Sequence, residues 1–216
     1  MAEEQGISHL RQEYSRHELS EESVEKEPIK QFRIWFKDAL AAEIHEPNAM
    51  ALGTCGADGQ PSVRIVLLKD FDEKGFVFYT NYNSNKGKDL AENPKAAITF
   101  LWLGLERQIR IEGTVEKVSA QDSDAYFESR PFGSRLGAWS SPQSQEISKE
   151  ELLQREENFK EKYEKNETVP RPEHWGGYRL IPQTIEFWQG RPSRMHDRIL
   201  YKLDETGNWR TTRLAP

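Results

Sequence analysis

Short runs of alternating hydrophobic and polar residues recur along most of the chain and predict a fold built mainly from β-strands. Each run is bounded by Gly, Pro, Asn or Asp, the residues that favour turns. The links between runs have turn length and lack regular helical crossovers, which favours an antiparallel barrel over a doubly wound parallel sheet. The predicted strands cover residues 49–55, 62–69, 76–80, 95–103, 107–118, 176–181, 184–190, 198–203 and 209–214.

Helices are predicted where apolar residues recur every three or four positions behind a residue that favours a helix start. Proline suits a first helical turn, and the first helix therefore begins at Pro28. The last helix carries so many charged residues that we expect it on the surface. The predicted helices begin at Pro28 and near Lys86, and cover residues 119–130 and 148–165.

The first 27 residues are polar and become acidic toward their end. We expect residues 1–27 to form a mobile N-terminal arm and residues 28–216 to form a single domain. One hydrophobic core can serve a chain of up to roughly 250–300 residues. The chain has 216 residues, of which 36% are hydrophobic and 11% aromatic, and this composition argues against disorder through most of its length.

Net charge and cysteine content change the expected function classes. The net charge is -6, whereas a general nucleic-acid binder usually carries a basic surplus. No apolar run approaches the roughly 20 residues of a membrane span, and the first residues lack the features of a secretory signal. The single cysteine, Cys55, is compatible with a reducing compartment. We therefore expect a cytoplasmic protein that binds neither nucleic acid nor a membrane.

Several common catalytic motifs are absent from the sequence. The five histidines and the one cysteine lack the spacing of metal ligands, so we expect no metal site. Neither Gly-x-Ser-x-Gly nor Gly-x-Gly-x-x-Gly occurs. Their absence disfavours a hydrolase or a nicotinamide dehydrogenase of those kinds.

The stretch "PSRMHDRIL", residues 192–200, concentrates hydrogen-bond donors near the end of the chain. If it belongs to the following strand, Arg194, His196 and Arg198 share one face, because successive strand residues point to opposite faces. Three such donors favour an anionic or electron-rich partner, and Trp188 could stack on an aromatic one.

Three more stretches could hold anions, each with a simpler alternative. In "YFESRPFGSRLGAW", Tyr126 and Arg130 share a helical face and Ser134 follows a Pro break; they could clamp a phosphate, or form an ordinary basic helix end. The stretch "YTNYNSNKGKDL" places Lys86 at a helix N-terminus, where an anion or only a polar loop would fit. In "RIVLLK", Arg64 and Lys69 lie on opposite strand faces, and a core strand with charged ends is favoured.

These stretches, taken in order, resemble the pyridoxamine 5'-phosphate oxidase family of FMN enzymes. The resemblance runs from "HLRQEY" to the terminal "RLAP", nearly the whole chain. Its most specific motifs are "RIVLLK", "VFYTN", "ERQIRIEG", "YFESRP", "GAWSSPQS", "WGGYRL", "IEFWQG" and "RMHDR". Any one motif would be weak evidence, but the ordered set is specific.

The resemblance implies an antiparallel Greek-key split β-barrel that binds FMN and forms a homodimer with FMN at the interface. It implies oxidation of pyridoxamine 5'-phosphate and pyridoxine 5'-phosphate to pyridoxal 5'-phosphate, with O2 reduced to H2O2. Two alternatives stay open. One is a flavin reductase of the same fold, and the other is a flavin or pyridoxal-phosphate carrier without activity.

The resemblance also assigns residues to the site. FMN would contact Arg64, Ile65, Val66, Leu67, Leu68, Lys69, Tyr79, Thr80, Asn85, Lys86, Gln108, Gln143, Ser144, Trp188 and Arg198. The substrate would contact Arg11, Gln12, Glu13 and Tyr14, which close over it as a lid, and also Lys69, Tyr126, Arg130, Ser134, Arg194, Met195 and His196. Arg194 and His196 would be catalytic, with Arg194 orienting the substrate and His196 either accepting a proton or donating a hydrogen bond.

The sequence departs from the family pattern at two of these positions. Asn85 stands where relatives often have Arg beside the lysine, so the FMN phosphate would lose one charged contact and we expect weaker FMN retention. Met195 stands where Leu is usual. On the alternation argument Met195 points away from the donors, so we expect little effect.

Overall fold

A computed structural model describes residues 13–164 and 168–216. The chain divides into two compact units. The first unit contains residues up to Pro47, residues 100–110 and residues 184–216, and the second contains residues 48–99 and 111–183. Among the described residues, no helix is both long enough and apolar enough to span a membrane.

The second unit is built on a sheet with the strand order β2-β1-β5-β6-β7-β4-β3. Strand β1 pairs antiparallel with β2 and β5, and β4 pairs antiparallel with β3 and β7. The strands are β1 (Ala49–Cys55), β2 (Pro61–Leu67), β3 (Asp70–Asp72), β4 (Gly75–Asn81), β5 (Lys95–Trp102), β6 (Arg107–Lys117) and β7 (Trp175–Gln189), of which β5, β6 and β7 also supply residues to the first unit. The helices are α2 (Asn85–Glu92), α3 (Ala120–Ser129), α4 (Phe132–Ser140) and α5 (Lys149–Tyr163).

Two consecutive glycines let β7 approach the tyrosines of the second unit closely. Gly177 lies opposite Tyr79 of β4 in the antiparallel register. A Cβ atom at Gly177 would lie 2.8 Å from the Tyr79 ring, and one at Gly176 would lie 2.2 Å from the Tyr82 hydroxyl. Any larger residue would therefore displace an aromatic side chain beside the site described below.

The first unit packs α1 (Pro28–Ala41) on aromatic residues of β5 and β7. Phe32 of α1 is fully buried, and its ring lies 5.2 Å from that of Phe100. Strand β7 continues into this unit, where its last residues pair with β8 (Asp197–Leu203), which pairs in turn with β9 (Trp209–Arg213). Trp35 of α1 meets Phe187 of β7 edge to face, with ring centroids 5.1 Å apart.

Residues 13–27 of the predicted arm make specific contacts with the C-terminal strands of the first unit. The backbone N–H of Leu19 donates to an Asp197 carboxylate oxygen at 3.0 Å. The Tyr201 hydroxyl donates to the Glu25 carbonyl at 2.6 Å, and Arg213 donates to the Glu21 carboxylate at 2.8 Å. The predicted mobility of the arm and the division into an arm and a single domain stay predictions.

The structure confirms the mainly antiparallel fold with flanking helices. It corrects the predicted strands and helices in three places. The two strands predicted at 176–181 and 184–190 are the single strand β7. Residues 70–72, predicted as part of a turn, form the short strand β3. Helix α4 was not predicted, because Pro131, Gly133 and Gly137 indicate a break rather than a helix.

Candidate active site

A cavity with a volume of 830 Å³ lies in the described part of the second unit. This volume is within the range of small-molecule sites, roughly 300–1,000 Å³. Its wall combines residues from β2, β4, α2, the end of α3, α4 and the start of β7. Twelve predicted site residues line it, namely Arg64, Ile65, Val66, Leu67, Lys69, Tyr79, Thr80, Lys86, Tyr126, Arg130, Ser134 and Gln143.

Arg64 is fixed by hydrogen bonds to neutral groups on β1 and β2. Its Nη2 donates to the Ser62 hydroxyl at 2.6 Å, and its Nη1 donates to the Leu52 carbonyl at 3.2 Å. The carboxylate of Asp89 lies 3.8 Å away. Burial lowers the pKa of Arg64, and the Asp89 charge partly opposes that shift. Arg64 is thus held rigidly at the cavity wall.

Lys86 is a buried cation that only neutral groups contact among the described residues. Its Nζ donates to the Thr80 hydroxyl at 3.2 Å, the Ser84 hydroxyl at 3.3 Å and the Gln143 side-chain oxygen at 3.4 Å. Burial, followed by the nearby charge of Arg64, lowers the pKa of Lys86. Without an acidic partner in the described part of the chain, this ammonium group favours an anion in the cavity.

The N-terminus of α2 lies beside Lys86, and serine hydroxyls accept two of its backbone N–H groups. Ser84 caps the helix by accepting the Gly87 N–H at 3.3 Å. The N–H of Asn85 donates to the Ser144 hydroxyl at 3.2 Å, and the Asn85 side chain is exposed. The second hydrogen bond joins Asn85 of α2 to Ser144. The helix dipole also favours negative charge here.

Tyr126, Arg130 and Ser134 meet at the junction of α3 and α4. Arg130 follows the last residue of α3, and Pro131 precedes the first residue of α4. Arg130 and Tyr126 therefore do not share a helical face as predicted, yet both line the cavity, as Ser134 does. The Arg130 Nη1 is buried and has no hydrogen-bond partner within the described part of the chain.

The prediction that Arg64 and Lys69 point to opposite faces of one strand is wrong. Strand β2 ends at Leu67, so strand alternation does not extend to Lys69. The backbone N–H of Lys69 pairs with the Val77 carbonyl at 2.9 Å, and both cations line the cavity. Leu68, which lies between them, is buried and does not line it.

A second group of predicted residues lies in the first unit, around Trp188. The Tyr14 ring meets Trp188 edge to face at 5.8 Å, and the His196 ring lies 4.6 Å from Trp188. A smaller cavity of 260 Å³ in this unit is lined by Tyr14, Gln108 and Trp188, among others. Glu13 is exposed, and Arg11 and Gln12 lie outside the described residues.

The donors of residues 192–200 do not form the predicted strand face. Residues Pro192–Arg194 form a 3-10 turn, in which Ser193 and Arg194 have positive φ angles of 55° and 62°. Strand β8 begins at Asp197, so only Arg198 of the three donors lies in a strand. Proline disfavours strand interiors, and Pro192 was the signal that could have predicted this turn.

Neighbouring groups fix the orientation of two of these donors, Arg198 and His196. The Arg198 Nε donates to the buried Glu186 carboxylate at 2.7 Å, which raises the pKa of Arg198. The Nδ1 of His196 accepts the backbone N–H of Arg191 at 3.1 Å. Burial, followed by the charge of Arg194, lowers the pKa of His196. Met195 is 67% exposed.

Sequence reasoning missed the aromatic wall of the large cavity. Trp175 lines the cavity, is 7% exposed and lies parallel to the rings of Tyr79 and Tyr126. Burial, followed by the charge of Asp122, raises the pKa of Tyr79 to about 12. The Trp in the motif "WGGYRL" was available as a signal, but the sequence does not reveal which rings stack.

Comparisons with known proteins give consistent matches over nearly the whole chain. The family model "Pyridoxamine 5'-phosphate oxidase" matches residues 36–157, and the model "Pyridoxine 5'-phosphate oxidase C-terminal dimerisation region" matches residues 175–216. A pyridoxine/pyridoxamine 5'-phosphate oxidase of Trichormus variabilis is 59% identical over 97% of this chain and 98% of its own length. One from Bordetella avium is 58% identical over 97% of this chain and 99% of its own.

Solved structures give the same fold. PhzG from Burkholderia lata, in complex with tetrahydrophenazine-1-carboxylic acid, has a TM-score of 0.87 at 30% identity, over 94% of this chain and 100% of its own. A pyridoxamine 5'-phosphate oxidase-related, FMN-binding protein from Nostoc punctiforme has a TM-score of 0.68 at 18% identity, over 86% of this chain and 97% of its own.

Proposed function

Because the chain belongs to the pyridoxamine 5'-phosphate oxidase family, we propose that it oxidises pyridoxamine 5'-phosphate and pyridoxine 5'-phosphate to pyridoxal 5'-phosphate. FMN would be its cofactor and O2 the final electron acceptor. The observation that carries the proposal is the presence of two cation groups in one cavity. Lys86 with Arg64 forms one group, and Arg130 with Ser134 and Tyr126 forms the other. FMN and the substrate each carry one phosphate.

The group around Lys86 suits the phosphate of FMN. Its ammonium group is buried against neutral oxygens, and Lys86 lies in the first turn of α2, where the helix dipole favours a dianion. Arg64, Tyr79, Thr80, Gln143 and Ser144 would hold the rest of the cofactor. The family resemblance assigns FMN contacts to Trp188, Gln108 and Arg198 as well.

The group around Arg130 suits the phosphate of the substrate. Its buried Nη1 has no hydrogen-bond partner among the described residues, and an unpaired buried donor costs free energy until an acceptor arrives. A phosphate oxygen is such an acceptor, and the hydroxyls of Tyr126 and Ser134 are neutral donors that tolerate a dianion. Lys69, which lines the same cavity, would add a second charge.

Bound FMN would supply the electron acceptor for oxidation at the C4' carbon of the substrate and pass the electrons to O2. With pyridoxine 5'-phosphate, the alcohol and O2 give the aldehyde and H2O2. With pyridoxamine 5'-phosphate, the amine, O2 and water give the aldehyde, ammonia and H2O2. The chain's own residues would bind, orient and desolvate the reactants. Holding the reactants in the right geometry lowers the activation free energy of the oxidation.

In this proposal His196 donates a hydrogen bond and does not act as a base. Because Nδ1 accepts the Arg191 N–H, the neutral ring carries its proton on Nε2. The lowered pKa of His196 favours the neutral ring. Nε2 can then donate to an oxygen of the pyridine substrate, and Arg194 would orient that substrate.

We also propose that the protein acts as a homodimer with FMN at the interface. The match of residues 175–216 to a C-terminal dimerisation region supports the dimer. A sedimentation-equilibrium measurement on the FMN-loaded protein should give twice the chain mass, and a monomer that retains full activity would exclude it.

The activity is tested by loading the purified protein with FMN, adding pyridoxine 5'-phosphate in air, and following aldehyde and H2O2 together. We expect equal amounts of both products, and no comparable turnover of unphosphorylated pyridoxine at the same concentration. If FMN binds but neither phosphorylated substrate gives product, the oxidase proposal is wrong. The reductase and carrier alternatives would then be separated by testing flavin reduction by NADH or NADPH.

A further inference from the structure

The guanidinium group of Arg130 has a different environment from that of Arg64. Arg64 uses its donors on the Ser62 hydroxyl and on backbone carbonyls, and lies near Asp89. Among the described residues, Arg130 has no acidic partner, and its Nη1 is buried without any hydrogen bond. Burial lowers the pKa of Arg130, and Tyr126 partly opposes that shift. Hydrogen bonds of Nη1 to the described residues therefore do not hold this side chain in place.

The face of the Trp175 ring provides that support. The Arg130 Cζ lies 4.6 Å from the Trp175 ring centroid, and 5.6 Å from the ring of Phe127. A cation over an aromatic face is attracted by the negative potential of the ring. This attraction orients the planar guanidinium and leaves its N–H donors free, whereas a carboxylate partner would occupy them and compete with an incoming phosphate.

The Trp175 ring is itself held rigidly. It lies nearly parallel to the Tyr126 ring, with an interplanar angle of 7°, and to the Tyr79 ring, with an angle of 13°. Phe127 meets it edge to face with centroids 5.1 Å apart. Parallel and edge-on neighbours together define one ring orientation.

The backbone of Trp175 is anchored at both of its polar groups. Its N–H donates to the Pro172 carbonyl at 3.0 Å, and its carbonyl accepts from the Arg171 Nη1 at 2.7 Å. Arg171 is held in turn by Asp124, with 2.6 Å between Nε and the carboxylate. The aromatic face beneath Arg130 is therefore fixed from both the backbone and the side-chain sides.

We propose that Trp175 is a positioning residue that presents Arg130 to the phosphate of the substrate. This inference rests on the proposed function, because it assigns the phosphate of that substrate to Arg130. Trp175 acts through Arg130 and takes no part in the oxidation step. Its loss should weaken recognition of the phosphate and leave the kcat of the bound substrate nearly unchanged.

The test compares Trp175→Leu with Trp175→Phe in the FMN-loaded protein. Leu keeps apolar volume and removes the aromatic face, whereas Phe keeps a smaller aromatic face. Isothermal titration calorimetry would measure the affinity for pyridoxal 5'-phosphate and for pyridoxal, which lacks the phosphate. We expect Trp175→Leu to weaken pyridoxal 5'-phosphate about three- to thirtyfold, the typical range of one cation–π contact. Pyridoxal should bind about equally to all proteins, and Trp175→Phe should recover part of the loss.

A double-mutant cycle with Arg130→Met separates positioning from general structural support. If Trp175 acts through Arg130, Trp175→Leu should have almost no further effect on phosphate affinity once Arg130 is replaced. Trp139→Leu is the matched control. Trp139 packs against the hydrophobic cluster that contains Trp175, together with Phe127, Leu136 and Val169, but it does not line the cavity. It should lower the melting temperature without changing the ratio of the two affinities.

Additive effects of Trp175→Leu and Arg130→Met would overturn the inference. Equal losses of affinity for pyridoxal 5'-phosphate and pyridoxal would do the same. If Trp175→Leu does not fold, the cycle is run with Trp175→Phe, for which the same non-additivity is required. Failure of the wild-type protein to oxidise either substrate would instead contradict the proposed function, so the two failures are distinguishable.

Discussion

At the scale of single residues, the site is defined by two cations, Lys86 and Arg130, that lack acidic partners among the described residues, and by the groups that hold them. Lys86 is surrounded by neutral oxygens and Arg130 lies over an aromatic ring. Such groups are costly without a ligand, because each leaves desolvated charge or an unmade hydrogen bond. A bound phosphate would reduce this free-energy cost at Lys86 and at Arg130.

His196 gives a prediction at the same scale. Its neutral form should carry the proton on Nε2, and its pKa should lie below the ordinary value of about 6.5. In ¹⁵N-labelled protein, a pH titration by NMR should show this tautomer. Arg194→Met should raise the pKa, since the variant removes a like charge.

An Nδ1–H tautomer, or an unchanged His196 pKa in Arg194→Met, would contradict this assignment. The groups to consider around the ring are Arg194, the Arg191 backbone, Trp188 and Tyr14. His174, whose Nε2 faces the Ala138 carbonyl, serves as an internal reference signal.

The residue chemistry of the site was more predictable than its geometry. Arg130, Ser134 and Lys86 stand out from the sequence because they are cations and hydroxyls beside a Pro break or a helix start. That these residues meet in one cavity depends on long-range strand pairing, which no local pattern encodes. Trp175 was missed for a similar reason, since its contacts come from residues about 50 and about 95 positions away.

At the scale of elements, helix α2 combines a structural and a binding role. Ser84 caps it and also accepts a hydrogen bond from Lys86. We expect Ser84→Ala to destabilise the protein by about 0.5–2 kcal/mol, the usual cost of a lost N-cap, and also to weaken FMN binding. Chemical denaturation of the apoprotein and FMN titration measure the two effects.

Ser148→Ala is the control for this prediction. Ser148 caps α5 by accepting the Glu151 N–H, and it does not line the large cavity. Its replacement should cost a similar free energy of unfolding without changing FMN affinity. Equal changes in FMN affinity in both variants would disprove the specific role of Ser84.

The close approach of β7 to the tyrosines gives a second prediction about an element. Gly177→Ala would place a methyl group 2.6 Å from Val118 and 2.8 Å from the Tyr79 ring. We expect a loss of about 1–3 kcal/mol in the free energy of unfolding, as for other overpacked sites. Gly133→Ala in α4 has open space around it and should be neutral or stabilising. A neutral Gly177→Ala in urea denaturation would refute the packing argument.

Most elements could be predicted from alternation and caps, and the misses have physical causes. Pro182 indicates a strand break, yet β7 passes through it. Proline removes one N–H donor, and Pro182 lies between the residues paired with β4 and those paired with β8. The starts of the helices predicted at 119–130 and 148–165 are confirmed, because Ser119 and Ser148 cap them through the nearby N–H groups of Asp122 and Glu151.

At the scale of the whole molecule, the family resemblance is confirmed over nearly the full chain. The expected split-barrel fold class is confirmed by the structural neighbours. The order of motifs carried this prediction, since composition and periodicity alone indicate only an antiparallel β-protein. FMN binding, the homodimer and the site roles stay proposals.

The two ends of the described chain are joined within the first unit, which gives a prediction about the N-terminal segment. Arg213 of β9 donates to the Glu21 carboxylate and to Asp197. These contacts lower the pKa of Glu21 and raise that of Arg213. Arg213→Met should expose residues 16–26 to limited proteolysis by trypsin, whereas Arg210→Met on the same strand should not. Equal cleavage in both variants would contradict the role of Arg213.

The central claim is that one cavity holds two separate phosphate sites. The most direct test measures FMN affinity and the KM for pyridoxine 5'-phosphate in Lys86→Met and Arg130→Met. We expect Lys86→Met to weaken FMN binding by about tenfold or more, the loss of one charge-assisted hydrogen bond, and to leave the KM of the FMN-saturated enzyme nearly unchanged. Arg130→Met should do the reverse. If both variants weaken FMN and substrate to the same degree, the two sites are not separate and the account is wrong.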